Sequence, residues 1–143
     1  MEKRRHPEEL ADRLHSTAIH LLRRVRVQDA ASGISPGRLS ALSVIVFAGP
    51  LSLNDLAQAE QVRPPTMSRI VDALETAGLA RRRVNEKDRR AVRIEATEKG
   101  AEVLKQGRRR RVRILAAELA RLSASERADL DRALRAIQKV LKT

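Results

Sequence analysis

The chain has 143 residues, enough for one domain with a modest hydrophobic core. It carries 30 Lys+Arg against 18 Asp+Glu, a formal net charge of +12 and a pI near 11.4, so a polyanionic partner is expected. With no cysteine, disulfides, thiol redox chemistry and cysteine-held zinc are excluded; with Phe47 as the sole aromatic, no platform exists for stacking single-stranded or RNA bases, and duplex DNA is the expected polyanion.

Leu10, Leu14, Ala18, Leu21, Leu22 and Val25, at spacings of three and four, predict an amphipathic helix over residues 8–31. That seam lies at one end of a small protein with few other elements to cover it, so a second subunit is the expected cover. Gly33-Ile34-Ser35-Pro36 ends the segment. Ser35 as N-cap and Pro36 at the first helical position open a second helix through about Ala48. Leu39, Leu42, Ile45, Val46 and Phe47 make this helix apolar nearly all round, which predicts the central core helix, and Gly49-Pro50 breaks it.

Ser52-Leu53-Asn54-Asp55 starts a short third helix, with Leu53, Leu56, Ala57 and Val62 facing inward and a turn near residues 60–62. A fourth helix starts on Pro64-Pro65. Its inward stripe is Met67, Ile70, Val71, Leu74 and Gly78, with Gly78 also the stop signal, while Thr66, Ser68, Arg69, Asp72 and Thr76 stay outside. Small hydroxyls and an arginine on an exposed first turn suit base edges in a DNA major groove. Residues 79–84 and 91–96 then alternate, Val84, Val92 and Ile94 on apolar positions and Arg81, Arg83, Arg93 and Glu95 toward solvent, which predicts a hairpin around the basic turn of residues 85–90. Thr97 caps a long helix to about Arg121. Ser123-Ala124-Ser125-Glu126 is a capping box for the last helix, whose stripe is Leu130, Leu134, Ile137, Val140 and Leu141.

The expected fold is therefore mainly α, a winged helix-turn-helix with a two-stranded wing, flanked by N- and C-terminal dimerisation helices. Residues 33–96 form the DNA-binding module; residues 1–32 and 97–143 form the helical dimerisation region. Charge follows the same division. Residues 63–93 hold nine basic and four acidic side chains and residues 99–113 seven and one, against one and two over residues 32–62. The candidate DNA contacts are Arg63, Pro64, Pro65, Thr66, Ser68 and Arg69 on the fourth helix, with Arg83, Lys87, Asp88, Arg89 and Arg90 on the wing. Lys87 and Arg83 suit phosphates. An arginine of the turn suits a narrow minor groove, where Asp88 could hold a guanidinium in place by bidentate pairing.

On the long helix, Arg108 and Arg111 share a face with Leu104, Leu115, Leu119 and Leu122, so one arginine is forced inward, where an unpaired charge is costly. Asp12 or Asp29 could pair with it, or its charged end could reach solvent. Alternatively an anionic ligand between the two modules takes that place, held by His15, Arg108 and Arg111. His6, His15 and His20 lack a partner histidine at i+4 and an acidic cluster, so no metal site is expected. No nucleophile–base arrangement, phosphate-cradling loop or carboxylate pair is present, so neither an enzyme nor a cofactor is expected. The longest apolar run, Val44–Ala48, is far short of the ~20 residues that cross a bilayer, and the charged first ten residues lack a signal peptide's apolar core. A cytoplasmic protein without membrane contact is the expectation.

The ordered motifs LNDLAQ (53–58), PPTMSRIVDALETAGL (64–79), DRR (88–90), TEKG (97–100) and LSASE (122–126) resemble the MarR family of bacterial transcriptional regulators over nearly the whole chain. The resemblance implies a triangular homodimer joined by its N- and C-terminal helices. It further implies binding to a palindromic operator and release by a small ligand, and repression is the expected outcome. It makes Arg90 the minor-groove residue and Asp88 its positioner. Three positions depart from the family pattern. Arg63 stands where an oxygen-bearing cap is common, although Pro64 and Pro65 remove two amides that would have needed one. Asn85-Glu86 replaces Asp-Pro, which predicts a more mobile wing, and Ala96 replaces a leucine at the hinge. Two other readings fit the residues: an architectural DNA-binding protein with little sequence preference, and a winged-helix protein–protein adaptor.

Overall fold

A computed structural model describes residues 6–88 and 90–142. Helix α1 (Pro7–Arg26) is followed by a 3₁₀ segment (Val27–Ser32), then α2 (Pro36–Ala48), α3 (Leu53–Ala59), α4 (Pro64–Thr76), strands β1 (Ala80–Val84) and β2 (Val92–Ala96), α5 (Glu98–Leu119) and α6 (Ala124–Leu141). The first predicted helix is thus shorter than its periodicity suggested. Its last turn tightens because Ser32 donates to the Asp29 carbonyl at 2.6 Å and also accepts from the Ile34 amide, while Gly33 (φ 69°) takes a left-handed turn that only glycine adopts at little cost. No described helix is by itself long and apolar enough to cross a membrane.

The core gathers around α2, α3, α4 and the hairpin. Leu42, Ile45, Leu56, Met67, Val71, Leu74 and Ile94 are fully enclosed, and Leu79 and Ala80 close the joint between α4 and β1. Helix α2 is central, as expected, but it is not covered on every side. It buries Ala41, Leu42 and Ile45, whereas Phe47 is 82% exposed. Two residues beyond Ile45 the helix has turned about 200°, so Phe47 points away from α3, α4 and α5. Ser35 also departs from expectation, because its side chain accepts no capping bond; its carbonyl receives the Leu39 amide at 3.0 Å.

The two strands pair antiparallel in the register Ala80↔Ala96, Arg82↔Ile94 and Val84↔Val92. Only the base of this apolar face is covered. Ile94 is buried, but Val84 and Val92, expected inside, are exposed because the hairpin extends past the helices that support it. Ile94 also exchanges two backbone hydrogen bonds with Leu51, at 2.8 and 3.1 Å, which ties β2 to the segment before α3.

Helices α1 and α6 bury none of their residues within the chain. Leu10, Leu14, Leu21 and Leu22 on α1, and Leu134, Val140 and Leu141 on α6, are large, apolar and exposed. The predicted capping box is present: Ser123 Oγ accepts the Glu126 amide, and the Glu126 carboxylate accepts the Ser123 amide at 2.8 Å. Those hydrogen bonds, backbone first and hydroxyl second, lower the Glu126 pKa below the ordinary glutamate value.

Candidate nucleic-acid interface

Helix α4 starts without a side-chain cap. Arg63 is extended at the N-cap, and prolines fill the next two positions, so fewer amides are left without a partner. Pro64, Pro65, Thr66 and Arg69 are exposed on this first turn and a half. Ser68 is half-buried rather than fully outside; it lies about 100° from Met67, at the edge of the buried stripe. Gly78 is not on that stripe at all. It follows the helix, exposed, with φ 72°, and its amide donates to the Glu75 carbonyl at 2.8 Å. The helix therefore presents Thr66 and Arg69 outward, with Ser68 partly accessible beside them.

The wing turn is held by two side-chain-to-backbone bonds of the kind that shape Asx turns. Asn85 Oδ1 accepts the Lys87 amide and Asp88 Oδ1 accepts the Arg90 amide, both at 3.0 Å. The Ala91 amide reaches the Asp88 carbonyl at 2.9 Å, and the Asn85 amide reaches the Ala91 carbonyl at 2.9 Å. Among the described residues Asp88 holds no guanidinium; its carboxylate accepts the amide two residues on and so fixes the turn itself. Arg89 lies outside the described residues. Asn85, which replaces the expected aspartate, makes the same kind of bond.

Ion pairing sorts the basic residues. Glu95 takes the Arg81 guanidinium and lies 3.7 Å from that of Arg83, so Arg83 is a shared cation rather than a free one. Arg82, on the inner face of β1, binds Glu75 and approaches Asp72 Oδ1 at 2.8 Å. Burial disfavours its charged form, but the hydrogen bonds to Asp72 and Glu75 and their charges raise its pKa above the ordinary arginine value. Arg63, Arg69, Lys87, Arg90 and Arg93 have no carboxylate partner among the described residues. These unpaired cations sit at the start of α4 and along the wing, where their positive potential is least cancelled.

The end of α4 is joined directly to α5. Thr97 Oγ1 accepts the Gly100 amide and donates to the Gly78 carbonyl at 2.6 Å, the Thr97 amide reaches the Leu79 carbonyl at 3.1 Å, and Lys99 Nζ donates to the Ala77 carbonyl at 2.9 Å. A cation at the C-terminal end of α4 also complements the helix dipole. The sequence reading missed Glu75, Arg82 and Lys99. The one available signal was Arg82, a charge on an otherwise apolar period-two face.

The three residues proposed to hold an anion are not equivalent. His15 and Arg108 are exposed, whereas Arg111 turns inward and pairs with Asp29, one of the two carboxylates expected for it. Gly107, buried on the same side of α5, leaves room for the guanidinium ends of Arg110 and Arg111 to fold over it. Arg110 Nε is buried there without a hydrogen-bond partner.

A profile of the MarR family matches residues 34–92. A 118-residue alignment, 82% of each chain, is 37% identical to an uncharacterized HTH-type transcriptional regulator of Mycobacterium bovis. The chain belongs to the MarR family. Among solved structures, transcriptional regulator Tm0710 of Thermotoga maritima superposes with a TM-score of 0.84 at 24% identity, covering 94% of this chain and 95% of that one. A point mutant of MepR from S. aureus, solved bound to an oligodeoxyribonucleotide, superposes with a TM-score of 0.70 at 20% identity, covering 96% and 99%. These two likenesses concern the fold, a winged helix.

Proposed function

We propose that this MarR-family regulator is a homodimeric, sequence-specific reader of duplex DNA that represses transcription from a palindromic operator in the cytoplasm. The observation that carries the reading is the placement of unpaired cations. Arg63 and Arg69 flank the exposed first turn of α4, and Lys87, Arg90 and Arg93 follow the wing, while Arg81 and Arg82 are neutralised by carboxylates. Thr66, Ser68 and Arg69 read base edges in the major groove, Arg90 enters the adjoining minor groove, and Arg63, Lys87 and Arg83 hold phosphates. Pro64 and Pro65 set the entry of the helix, and Asp88 positions Arg90 through its backbone amide. The oligodeoxyribonucleotide-bound MepR mutant, with the same fold, supports this partner.

Residues 1–32 and 97–143 supply the dimer, because α1 and α6 carry apolar stripes yet bury none of their residues within the described chain. Interfaces of this obligate kind usually bury more than ~2,000 Å². Sedimentation at low micromolar concentration yields one dimeric species; a folded monomer there contradicts the proposal. A small anionic effector would release the operator by binding beside the half-buried arginines of α5, with the unsatisfied Arg110 Nε as its donor in place of the exposed His15 and Arg108.

Selection of bound duplexes from a randomised library by the purified chain tests the main reading. Two inverted half-sites, with centres about one helical turn (~34 Å) apart, are expected. Uniform recovery of all sequences would instead favour an architectural protein, and recovery of none would favour an adaptor.

A further inference from the structure

The hairpin is gripped at one cross-strand pair, Arg82 opposite Ile94. Ile94 turns its backbone groups outward to Leu51, so this pair is of the non-hydrogen-bonded kind, and the Arg82 amide also faces away from β2. An outward amide on an edge strand requires an acceptor, and here Glu75 Oε1 provides it at 2.7 Å. The second oxygen of the same carboxylate binds the Arg82 guanidinium, which also approaches Asp72 at 2.8 Å. One side chain of the recognition helix thus holds both the backbone and the side chain of a single wing residue. Beyond this pair, Val84 and Val92 are exposed.

We infer that Glu75 and Arg82 are a positioning pair that sets the angle of the wing to the recognition helix and so delivers Arg90 to the groove next to the one α4 reads. The inference rests on the duplex-DNA reading above. Geometry makes the pair sensitive. From Arg82 to the start of the turn at Asn85 is three residues, roughly 10 Å, so a 10° rotation at the grip moves the start of the turn by about 2 Å and its tip by more. That displacement is the difference between a guanidinium seated in a groove and one left in solvent. Neither residue needs to touch DNA for this effect, and Arg82, neutralised by two carboxylates, contributes little attraction of its own.

A double-mutant cycle on the full-length chain, read by anisotropy of a fluorescein-labelled duplex from the selection above, tests the pair. In the parent, Arg90→Ala weakens binding tenfold or more. In the Glu75→Ala background the same change costs less than threefold, because the wing no longer presents Arg90, while Arg69→Ala keeps its full cost in both backgrounds. Glu75→Gln, which retains an oxygen for the Arg82 amide, restores part of the Arg90 effect. Equal costs of Arg90→Ala in both backgrounds would overturn the inference, since a residue that only stabilises the fold scales all contacts alike. A second arm needs no DNA. Amide exchange of residues 82–92 rises at least tenfold in Glu75→Ala while exchange in α2 is unchanged. If the parent binds no duplex, the DNA reading fails and this arm alone decides whether Glu75 anchors the wing; unchanged exchange in the hairpin would overturn that as well.

Discussion

Replacing Gly100 by alanine tests the joint between the recognition helix and α5. A Cβ built on Gly100 lies 2.1 Å from the Leu79 carbonyl oxygen, 3.0 Å from its carbon and 3.1 Å from Leu42 Cδ1. The first two are backbone atoms, and the same carbonyl already accepts the Thr97 amide at 3.1 Å, so it cannot turn away freely. Overpacking of this kind costs about 3 kcal/mol, at the upper end of the usual range, because the helix must shift as a body. The better helix propensity of alanine returns about 1 kcal/mol. The net loss is therefore about 2 kcal/mol, and at roughly 3 °C per kcal/mol for a chain of this size the melting temperature falls by about 6 °C. Far-UV circular dichroism reads the transition without tryptophan or tyrosine, at matched protein concentrations because dimerisation makes the midpoint concentration-dependent. Gly107→Ala is the control. It meets no backbone atom, only the guanidinium ends of Arg110 and Arg111, at 3.8 and 3.3 Å, and its midpoint falls less than that of Gly100→Ala. Equal shifts for the two variants would refute the claim that α5 seats directly on the end of α4.

Other expected outcomes follow from single contacts. Arg90→Ala weakens binding to the selected duplex by about 1–3 kcal/mol and relaxes preference at its flanking A·T positions, whereas Lys87→Ala weakens all sequences alike and lowers the salt slope by about one charge; titrations on selected and random duplexes distinguish the two. Asp29→Asn leaves the Arg111 guanidinium without its counter-charge and costs about 1 kcal/mol, a partly buried pair being worth less than an enclosed one, as measured by urea denaturation. The Glu126 carboxylate has a lowered pKa when folded, so its stabilisation is complete above the ordinary glutamate value and is lost as pH falls through the folded one. Between about pH 5 and pH 3 the parent's melting temperature drops more steeply than that of Glu126→Gln; parallel profiles would contradict the role of the capping box.

Local pattern carried the fold a long way. The period of α4, the two prolines at its start and the alternation of residues 79–96 place the recognition helix and wing correctly, because each is decided within a few residues. What the sequence left unread depends on which face a neighbour covers. Phe47 belongs to an apolar run but falls about 200° round from Ile45, and Val84 and Val92 alternate correctly yet stand beyond their support. Pairing at a distance is equally hidden. Arg111 and Asp29 are 82 residues apart, and Glu75 meets Arg82 only because Gly78 reverses the chain between them. Asp88 shows the opposite case: among the described residues its hydrogen-bond donor is a backbone amide two residues away.

The central claim, sequence-specific recognition of duplex DNA, is tested most directly by titrating the selected duplex and a scrambled one at about 50 and 200 mM salt. With roughly six or more phosphates neutralised, affinity for both duplexes falls by at least about a thousandfold between the two conditions, but the preference for the selected duplex persists at about a thousandfold or more. Loss of preference together with affinity would contradict base reading by α4 and leave only charge-driven binding.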